Sequence, residues 1–409
     1  MYYDVQYRQL NKTNEELCGD SVGWHRGERE TMLVLADGLG SGVKANILAT
    51  LTQKIALTMF KEHLPINEVV ETLAGTLPTC KVRDLAYSTF TLIRVDEDGG
   101  ADIVEFDNPP TFIFRGGSPL EVERTSLTIG KYQLAQMHVQ LEEGDYLIAA
   151  SDGLVHAGIG GIEPLGWRWE HIAEHLQAFL WQDPEAEEVV DNLLSAAEGL
   201  YRDKVGDDTS VVVLKCRTFR EVVLAIGPPT DAADDKKMAE RFATSTGVKI
   251  ICGGTTAKIL ARELGCELTM NISQTDRELP PTGNMEGVDL VTEGVITIMH
   301  AIDELETVRL RKPRANVHDL NYLYGKQNYR SLLRDSGRVT APAEEENPAQ
   351  TLARHLRLAD RVTILLGRAL NPAHQNPALP VHLGLKFALV QHLTEKLKAR
   401  GKMVEVVSY

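Results

Sequence analysis

The chain contains no uninterrupted apolar run near the roughly 20 residues that a membrane-spanning helix requires. Its start, MYYDVQYRQL, has no basic region leading into an apolar stretch, so a cytoplasmic protein with no membrane partner is the expectation. Cysteine is sparse and unpaired in pattern. Cys18, Cys80, Cys216, Cys252 and Cys266 are widely spaced, with no CxxC among them. This excludes a disulfide framework or a closed zinc site and leaves reduced, mostly buried thiols. Basic charge is in deficit, with 43 Lys+Arg against 58 Asp+Glu and a net charge of −15. Such a chain repels a phosphate backbone, and no nucleic-acid partner is expected. The deficit is local: residues 1–218 hold 35 acidic and 18 basic side chains, the remainder 23 and 25. Also missing are an internal repeat, a long low-complexity tract, GxGxxG and GxxxxGK[ST].

What is present suits two globular domains. At 409 residues the chain is about twice the usual domain size. In the first half, apolar runs bounded by Gly, Pro, Asp or Asn predict buried strands at Thr31–Ala36, Ser88–Val95, Ile103–Phe106, Thr111–Arg115, Tyr146–Ala150 and Ser210–Leu214. Ile47, Leu51, Ile55 and Met59, four apart, line up one face of a helix; a second helix runs from Val189 to Tyr201. Strands and helices in this order predict sheets covered by helices. Beyond a boundary near Arg217–Glu221 the pattern changes. EVVLAIG, GVKIICGG, VDLVTEG, DRVTILLG and MVEVVSY alternate with helical stretches such as Asp234–Ser245 and Thr256–Leu264, which predicts an α/β domain with a parallel sheet. The fold class is therefore α+β for 1–218 followed by α/β for 219–409. An insertion at about 307–347, partly loop, interrupts the second domain.

Four segments place acidic residues where a strand runs out: CGDS at Asp20, LADGLGSG at Asp37, ASDGL at Asp152, and GDDTSVVVL at Asp207 and Asp208. One Asp-Gly pair is an ordinary turn. Four such endings in one domain would gather several carboxylates at one sheet edge, where their repulsion calls for a cation. Oxygen donors without a Cys or His pattern point to a hard cation, Mg²⁺ or Mn²⁺. Two such ions can activate a water and clamp a phosphate, the chemistry of phosphate-ester hydrolysis. Gly38 lets the backbone approach, so that its carbonyl can add an oxygen. The glycines of GLGSG lead into a helix over Val43–Phe60, whose N-terminal amides are a weak candidate for anion binding.

The ordered elements GDS, ADGLGSG, FDNPPTFIFRGG, LEEGDYLIAASDGLVHA and GDDTSVVVLK resemble the metal-dependent type 2C serine/threonine protein phosphatases, in particular their bacterial SpoIIE branch, over about residues 4–216. The resemblance implies a four-layer β-sandwich flanked by helices, two Mn²⁺ or Mg²⁺ ions, and hydrolysis of phosphoserine or phosphothreonine without a covalent phosphoenzyme. It also implies that Asp37 bridges both ions, that the Gly38 carbonyl, Asp152 and Asp207 complete the site, and that Asp20 acts directly or through water. The helix after Gly42 resembles the regulatory switch of that branch. The phosphorylated protein substrate it suggests is a regulator, such as an anti-sigma-factor antagonist. The stretch NKTNEELCGD departs from the pattern: many bacterial relatives carry a phosphate-holding Arg just before the first acidic motif, whereas here Lys12 is the only basic side chain nearby and phosphate capture is unassigned. Asp208 is read as serving the turn. A scaffold that binds a phosphoprotein without turnover is the alternative, and hydrolysis of a small phosphate ester is a third reading.

Other signals take blander readings. His156 reads as an ordinary histidine at a strand end, and His171 and His175 as part of a solvated helix face. Cys18, close to Asp20, reads as a thiol made unreactive by its acidic neighbours. In the second half the Gly253-Gly254 turn between a strand and a helix is where an anionic small-molecule ligand could sit; a protein partner docking on this domain is the other possibility. The basic cluster Arg309, Arg311, Lys312 and Arg314 reads as solvated or as a docking strip for an acidic partner.

Overall fold

The computed structural model describes residues 1–76, 79–80, 85–86, 88–129, 132–159, 163–202, 204–271, 282–307, 347–369 and 382–409. Most of the expected 307–347 insertion and the whole Arg309–Arg314 cluster lie outside these residues. The chain divides into two compact units, and the first gives way to the second between Thr218 and Phe219. No helix among the described residues is long and apolar enough to cross a membrane.

The first unit is built on two antiparallel sheets. Its strands are β1 (Tyr2–Leu10), β2 (Asp20–Arg26), β3 (Glu30–Gly38), β4 (Thr79–Cys80), β5 (Leu85–Ala86), β6 (Ser88–Asp96), β7 (Gly100–Phe106), β8 (Phe112–Arg115), β9 (Ser118–Pro119), β10 (Thr125–Ile129), β11 (Tyr132–Gln140), β12 (Tyr146–Ala150) and β13 (Thr209–Arg217). One sheet has the order β1-β13-β12-β8-β9 and the other β10-β11-β7-β6-β3-β2; β4 and β5 form a separate pair. The sheets meet through Val5, Leu147, Val212 and Leu214 on one side and Leu33, Leu35, Ile93 and Ile103 on the other. The outer face of the six-stranded sheet, with Met32, Val34, Leu92 and Val104, is covered by α1 (Gly42–Lys61) and α2 (Ile66–Thr76). The outer face of the five-stranded sheet, with Phe112, Tyr146, Ile148 and Val211, is covered by α4 (Trp169–Leu180) and α5 (Ala186–Tyr201). A short α3 (Asp152–Val155) follows β12 directly. The result is a four-layer sandwich. Because both faces of each sheet are buried, the central strands read as continuous apolar runs such as TMLVLA and YLIAA, although antiparallel strands usually alternate.

The helix α1 does not present the Ile47 and Leu51 stripe to the sheet. It buries Ala45, Leu48, Ala49, Ala56 and Phe60, while Ile47 is 59% and Leu51 42% exposed. Small side chains let the helix lie close to β3, a choice that hydrophobic spacing does not reveal. The N-terminus of α1 is also not free for an external anion. Ser41 Oγ donates to Glu15 Oε1 at 3.0 Å, so the chain's own carboxylate takes that position.

The second unit has one seven-stranded sheet of β14 (Glu221–Ile226), β15 (Val248–Cys252), β16 (Leu268–Asn271), β17 (Thr282–Met285), β18 (Leu290–Thr292), β19 (Arg361–Leu366) and β20 (Met403–Ser408). The order is β16-β17-β18-β15-β14-β19-β20. The five strands from β18 to β20 are parallel, as the alternating pattern predicts, whereas β16 and β17 form an antiparallel pair at one edge. On one face lie α8 (Val295–Thr307), α9 (Pro348–Leu358) and α10 (His382–Ala399), around Ile298, Leu352 and Leu393. On the other lie α6 (Asp235–Thr244) and α7 (Gly254–Leu264), around Phe242 and Leu260.

Candidate metal centre

The acidic residues singled out in the sequence come to one end of the sandwich on separate strands. Asp20 opens β2 and Asp37 lies near the end of β3, where the two are Cα partners. Asp152 is the first residue of α3, immediately after β12, and Asp207 stands just ahead of β13. Strands β12 and β13 are neighbours. The ends of both sheets therefore bring together residues up to 187 positions apart.

Three glycines permit this convergence. A Cβ on Gly38 would lie 2.1 Å from the backbone oxygen of Ala45, and one on Gly153 would lie 2.1 Å from that of Asp208. Neither neighbour is a side-chain tip that could swing away. On Gly19 the obstacle would be Asp208 Oδ2, 2.8 Å away. Helix α1 thus rests on the end of β3 at Gly38, and α3 rests on the entry to β13 at Gly153.

Burial and mutual repulsion raise the carboxylates of the cluster. Asp37 is raised from its ordinary value to about 9, first by burial and then by the charges of Asp20, Asp152 and Asp207. Asp20, 3% exposed, is raised to about 6 by burial, against the lowering effect of hydrogen bonds from Ser210 and Ser151. Asp152 is also raised, by burial and then by Asp207, with His156 and Asp37 opposing. His156 ends α3 rather than a strand, and its Nδ1 is 3.7 Å from Asp152 Oδ2.

Side chains with no signal in the sequence hold Asp20. Ser210 Oγ donates to Asp20 Oδ2 at 2.7 Å, and Gln9 Nε2 donates to Ser210 Oγ at 2.9 Å. The Ser210 amide donates to Ser151 Oγ at 2.8 Å. Only the pairing of β1 and β12 with β13 brings these residues together, so no local pattern announces them. Asp208 does serve the loop, because its Oδ1 accepts the Lys12 amide at 3.0 Å. Lys12 Nζ is 3.4 Å from Asp207 Oδ1. Burial, then the charge of Asp20, raises the Cys18 thiol to about 12, which suppresses the reactive thiolate. His175 is not on a solvated face: it bonds Asn192 Oδ1 at 2.7 Å and meets the Trp167 ring edge-on.

Residues 27–217 match the family described as Stage II sporulation protein E (SpoIIE). Over these residues the first domain is similar to SpoIIE. Stage II sporulation protein E of Bacillus subtilis (strain 168) is 24% identical over 211 residues, covering 49% of this chain and 24% of that protein. The namesake from Priestia megaterium is 28% identical over 195 residues, covering 45% and 31%. The chain thus matches less than a third of the length of these relatives. A solved structure of the PP2C phosphatase domain and a regulatory-domain fragment of Bacillus subtilis SpoIIE shares 22% identity, with a TM-score of 0.46 over 53% of this chain and 62% of that one.

The SpoIIE-like domain offers donors suited to a hard divalent cation. Asp20 Oδ1 and Asp208 Oδ2 are buried without a hydrogen-bond partner among the described residues, and the carboxylates of the cluster offer oxygen donors. As the side chains stand, no three acidic, His or Cys groups among the described residues already grip a common point. Asp37 instead holds a proton near neutrality, which a divalent ion would displace.

Proposed function

We propose that the protein is a metal-dependent serine/threonine protein phosphatase. The observation that carries this reading is the gathering of Asp20, Asp37, Asp152 and Asp207 at one end of the sandwich from separate segments, where burial first and then the other three charges raise Asp37, a concentration of negative charge that folding alone does not favour. Asp37 would contact both of two Mn²⁺ or Mg²⁺ ions, with the Gly38 carbonyl, Asp152 and Asp207 as further ligands and Asp20 acting directly or through water. Bound there, the ions supply positive charge for the phosphate oxygens and lower the pKa of a water.

The chain's own groups do the rest. Ser210 and Ser151 fix the Asp20 carboxylate, so that it need not reorganise during the reaction. Gly38 and Gly153 keep the backbone of α1 and α3 against the cluster. Lys12, within reach of Asp207, can pair with a phosphate oxygen of the substrate once Asp207 turns to a cation. The reaction is hydrolysis of phosphoserine or phosphothreonine on a regulatory protein to the free hydroxyl and inorganic phosphate, and the second domain regulates or targets it.

The test is phosphate release from a phosphoserine peptide in Mn²⁺, with Asp37→Asn and Asp152→Asn alongside. The wild type should turn over and each variant should lose about a hundredfold or more, as for loss of a group that stabilises transition-state charge. Equal rates in all three would defeat the proposal. Tight peptide binding without turnover in any of them would identify a phosphoprotein-binding scaffold instead.

A further inference from the structure

In the second domain two neighbouring parallel strands end in glycine turns that each start a helix. β15 and β18 pair at Cys252 and Thr292. Gly253 then leads into α7, and Glu293-Gly294 leads into α8. Both glycines have left-handed φ, +123° at Gly253 and +152° at Gly294. The Gly253 amide donates to the Thr292 carbonyl at 2.9 Å, and a Cβ on Gly294 would lie 3.4 Å from Gly253 Cα. Two helix N-termini therefore lie side by side. Their first-turn amides have no acceptor within the helix and carry the positive end of its dipole. The N-cap of α7 is a glycine, so it has no side chain to cover them.

Helix N-termini of this kind are common, but the side chains around these two are not. Thr256, third in α7, is 1% exposed and its Oγ1 has no hydrogen-bond partner among the described residues. That oxygen lies 3.3 Å from where a Cβ on Gly253 would stand, so it is aimed into the turn. Thr297, third in α8, is 2% exposed and its Oγ1 is likewise unpartnered among the described residues. Two mid-helix threonines behave otherwise: Thr52 and Thr394 donate to the carbonyls four residues back, at 2.9 and 2.7 Å. In the second turn, Glu293 Oε2 is a third buried atom with no hydrogen-bond partner among the described residues. Buried hydroxyls and carboxylates are rarely left unsatisfied unless something outside the chain completes them.

We propose that this edge of the second domain binds a phosphorylated sugar or nucleoside. The phosphate accepts hydrogen bonds from the first-turn amides of α7 and α8 and from the Thr256 and Thr297 hydroxyls. A hydroxyl of the same molecule donates to Glu293. The carboxylate selects the ligand class: it repels a bare anion, but it accepts readily from a ligand that carries an alcohol beside its phosphate. The site is independent of the phosphatase reading, since it uses no residue of the first domain.

The test is calorimetric titration of the full chain in EDTA, which keeps divalent ions from recruiting phosphate to the first domain. The probes are AMP, ribose 5-phosphate, adenosine and inorganic phosphate. AMP or ribose 5-phosphate should bind, adenosine should not, and inorganic phosphate should bind about tenfold more weakly or worse; which of the first two is tighter distinguishes nucleoside from sugar. Thr256→Val and Thr297→Val should each weaken the binding about tenfold, as expected for loss of a hydrogen bond to a charged group. Neither should lower the melting temperature of the ligand-free chain, because each removes an uncompensated polar atom. Glu293→Gln should narrow the gap between ribose 5-phosphate and inorganic phosphate. The proposal fails if no probe binds the wild type, or if both valine variants bind as the wild type does. A fall in melting temperature in either valine variant also overturns it, since the hydroxyl would then be serving the fold itself.

Discussion

Replacing Asp37 by Asn in the metal-free protein should change how stability depends on pH. In the folded chain Asp37 titrates near 9, against an ordinary value of 3.8. Between these values the folded state holds a proton that the unfolded chain has lost. A raised folded pKa therefore costs stability as pH rises through the window, at most about 1.4 kcal/mol per pH unit. From pH 6 to 8 the loss attributable to Asp37 is then about 1–3 kcal/mol, the lower end allowing for its partial exposure. Asp20, raised to about 6, is half ionised at the start of this interval and adds only about 0.4 kcal/mol to the loss. Asp37→Asn removes the Asp37 contribution. The four tryptophans, Trp24, Trp167, Trp169 and Trp181, all precede residue 218, so urea unfolding followed by tryptophan fluorescence reports on this domain alone. In EDTA the wild type should lose stability from pH 6 to 8 while the variant stays nearly level. With Mn²⁺ at a hundred times its Kd, the wild type should gain about 2.7 kcal/mol and its slope should flatten. Parallel pH profiles for the two proteins in EDTA would refute the reasoning.

Gly38→Ala forces a methyl group to within 2.1 Å of the Ala45 backbone oxygen, so α1 must shift. A loss of about 1–3 kcal/mol and weaker Mn²⁺ binding should follow, and unchanged urea and Mn²⁺ titrations would contradict that. Ser210→Ala removes the donor to a carboxylate that is 3% exposed; unfolding should show a cost of about 1–3 kcal/mol, and a neutral result would mean that Ser151 alone suffices. Lys12→Met removes the ammonium group that competes with a cation for Asp207. Calorimetry should find Mn²⁺ bound about two- to fivefold more tightly, the range of a partly exposed ion pair, and weaker binding would count against the competition.

Much of the architecture was legible because both sheets are covered on both faces, which turns strands such as β3, β12 and β13 into unbroken apolar runs. The strands that left little trace lie at or next to the edges. β1, β2 and β10 carry polar or half-exposed residues at most positions, so neither alternation nor a run stands out. The packed face of α1 was hidden for another reason: close approach to β3 selects Ala45, Ala49 and Ala56, while Ile47 and Leu51 face outward. In the second domain the parallel core could be read from its strand and helix alternation, but the antiparallel β16 and β17 could not, since LTMN and TGNM carry no strand pattern. At the candidate centre the acidic strand endings were visible residue by residue. Their supports, Gln9, Ser151 and Ser210, depend on strand pairing across most of the domain. The Glu15 carboxylate at the start of α1 was missed because its role depends on the path of the loop before β2.

The central claim is that Asp37, Asp152 and Asp207 hold a pair of divalent ions, and anomalous diffraction from crystals grown in excess Mn²⁺ tests it most directly. Two manganese peaks should appear about 4 Å apart, with Asp37 touching both and the Gly38 carbonyl on one. Crystals that diffract well but show no manganese among these three carboxylates, or show them ligating nothing in common, would contradict it.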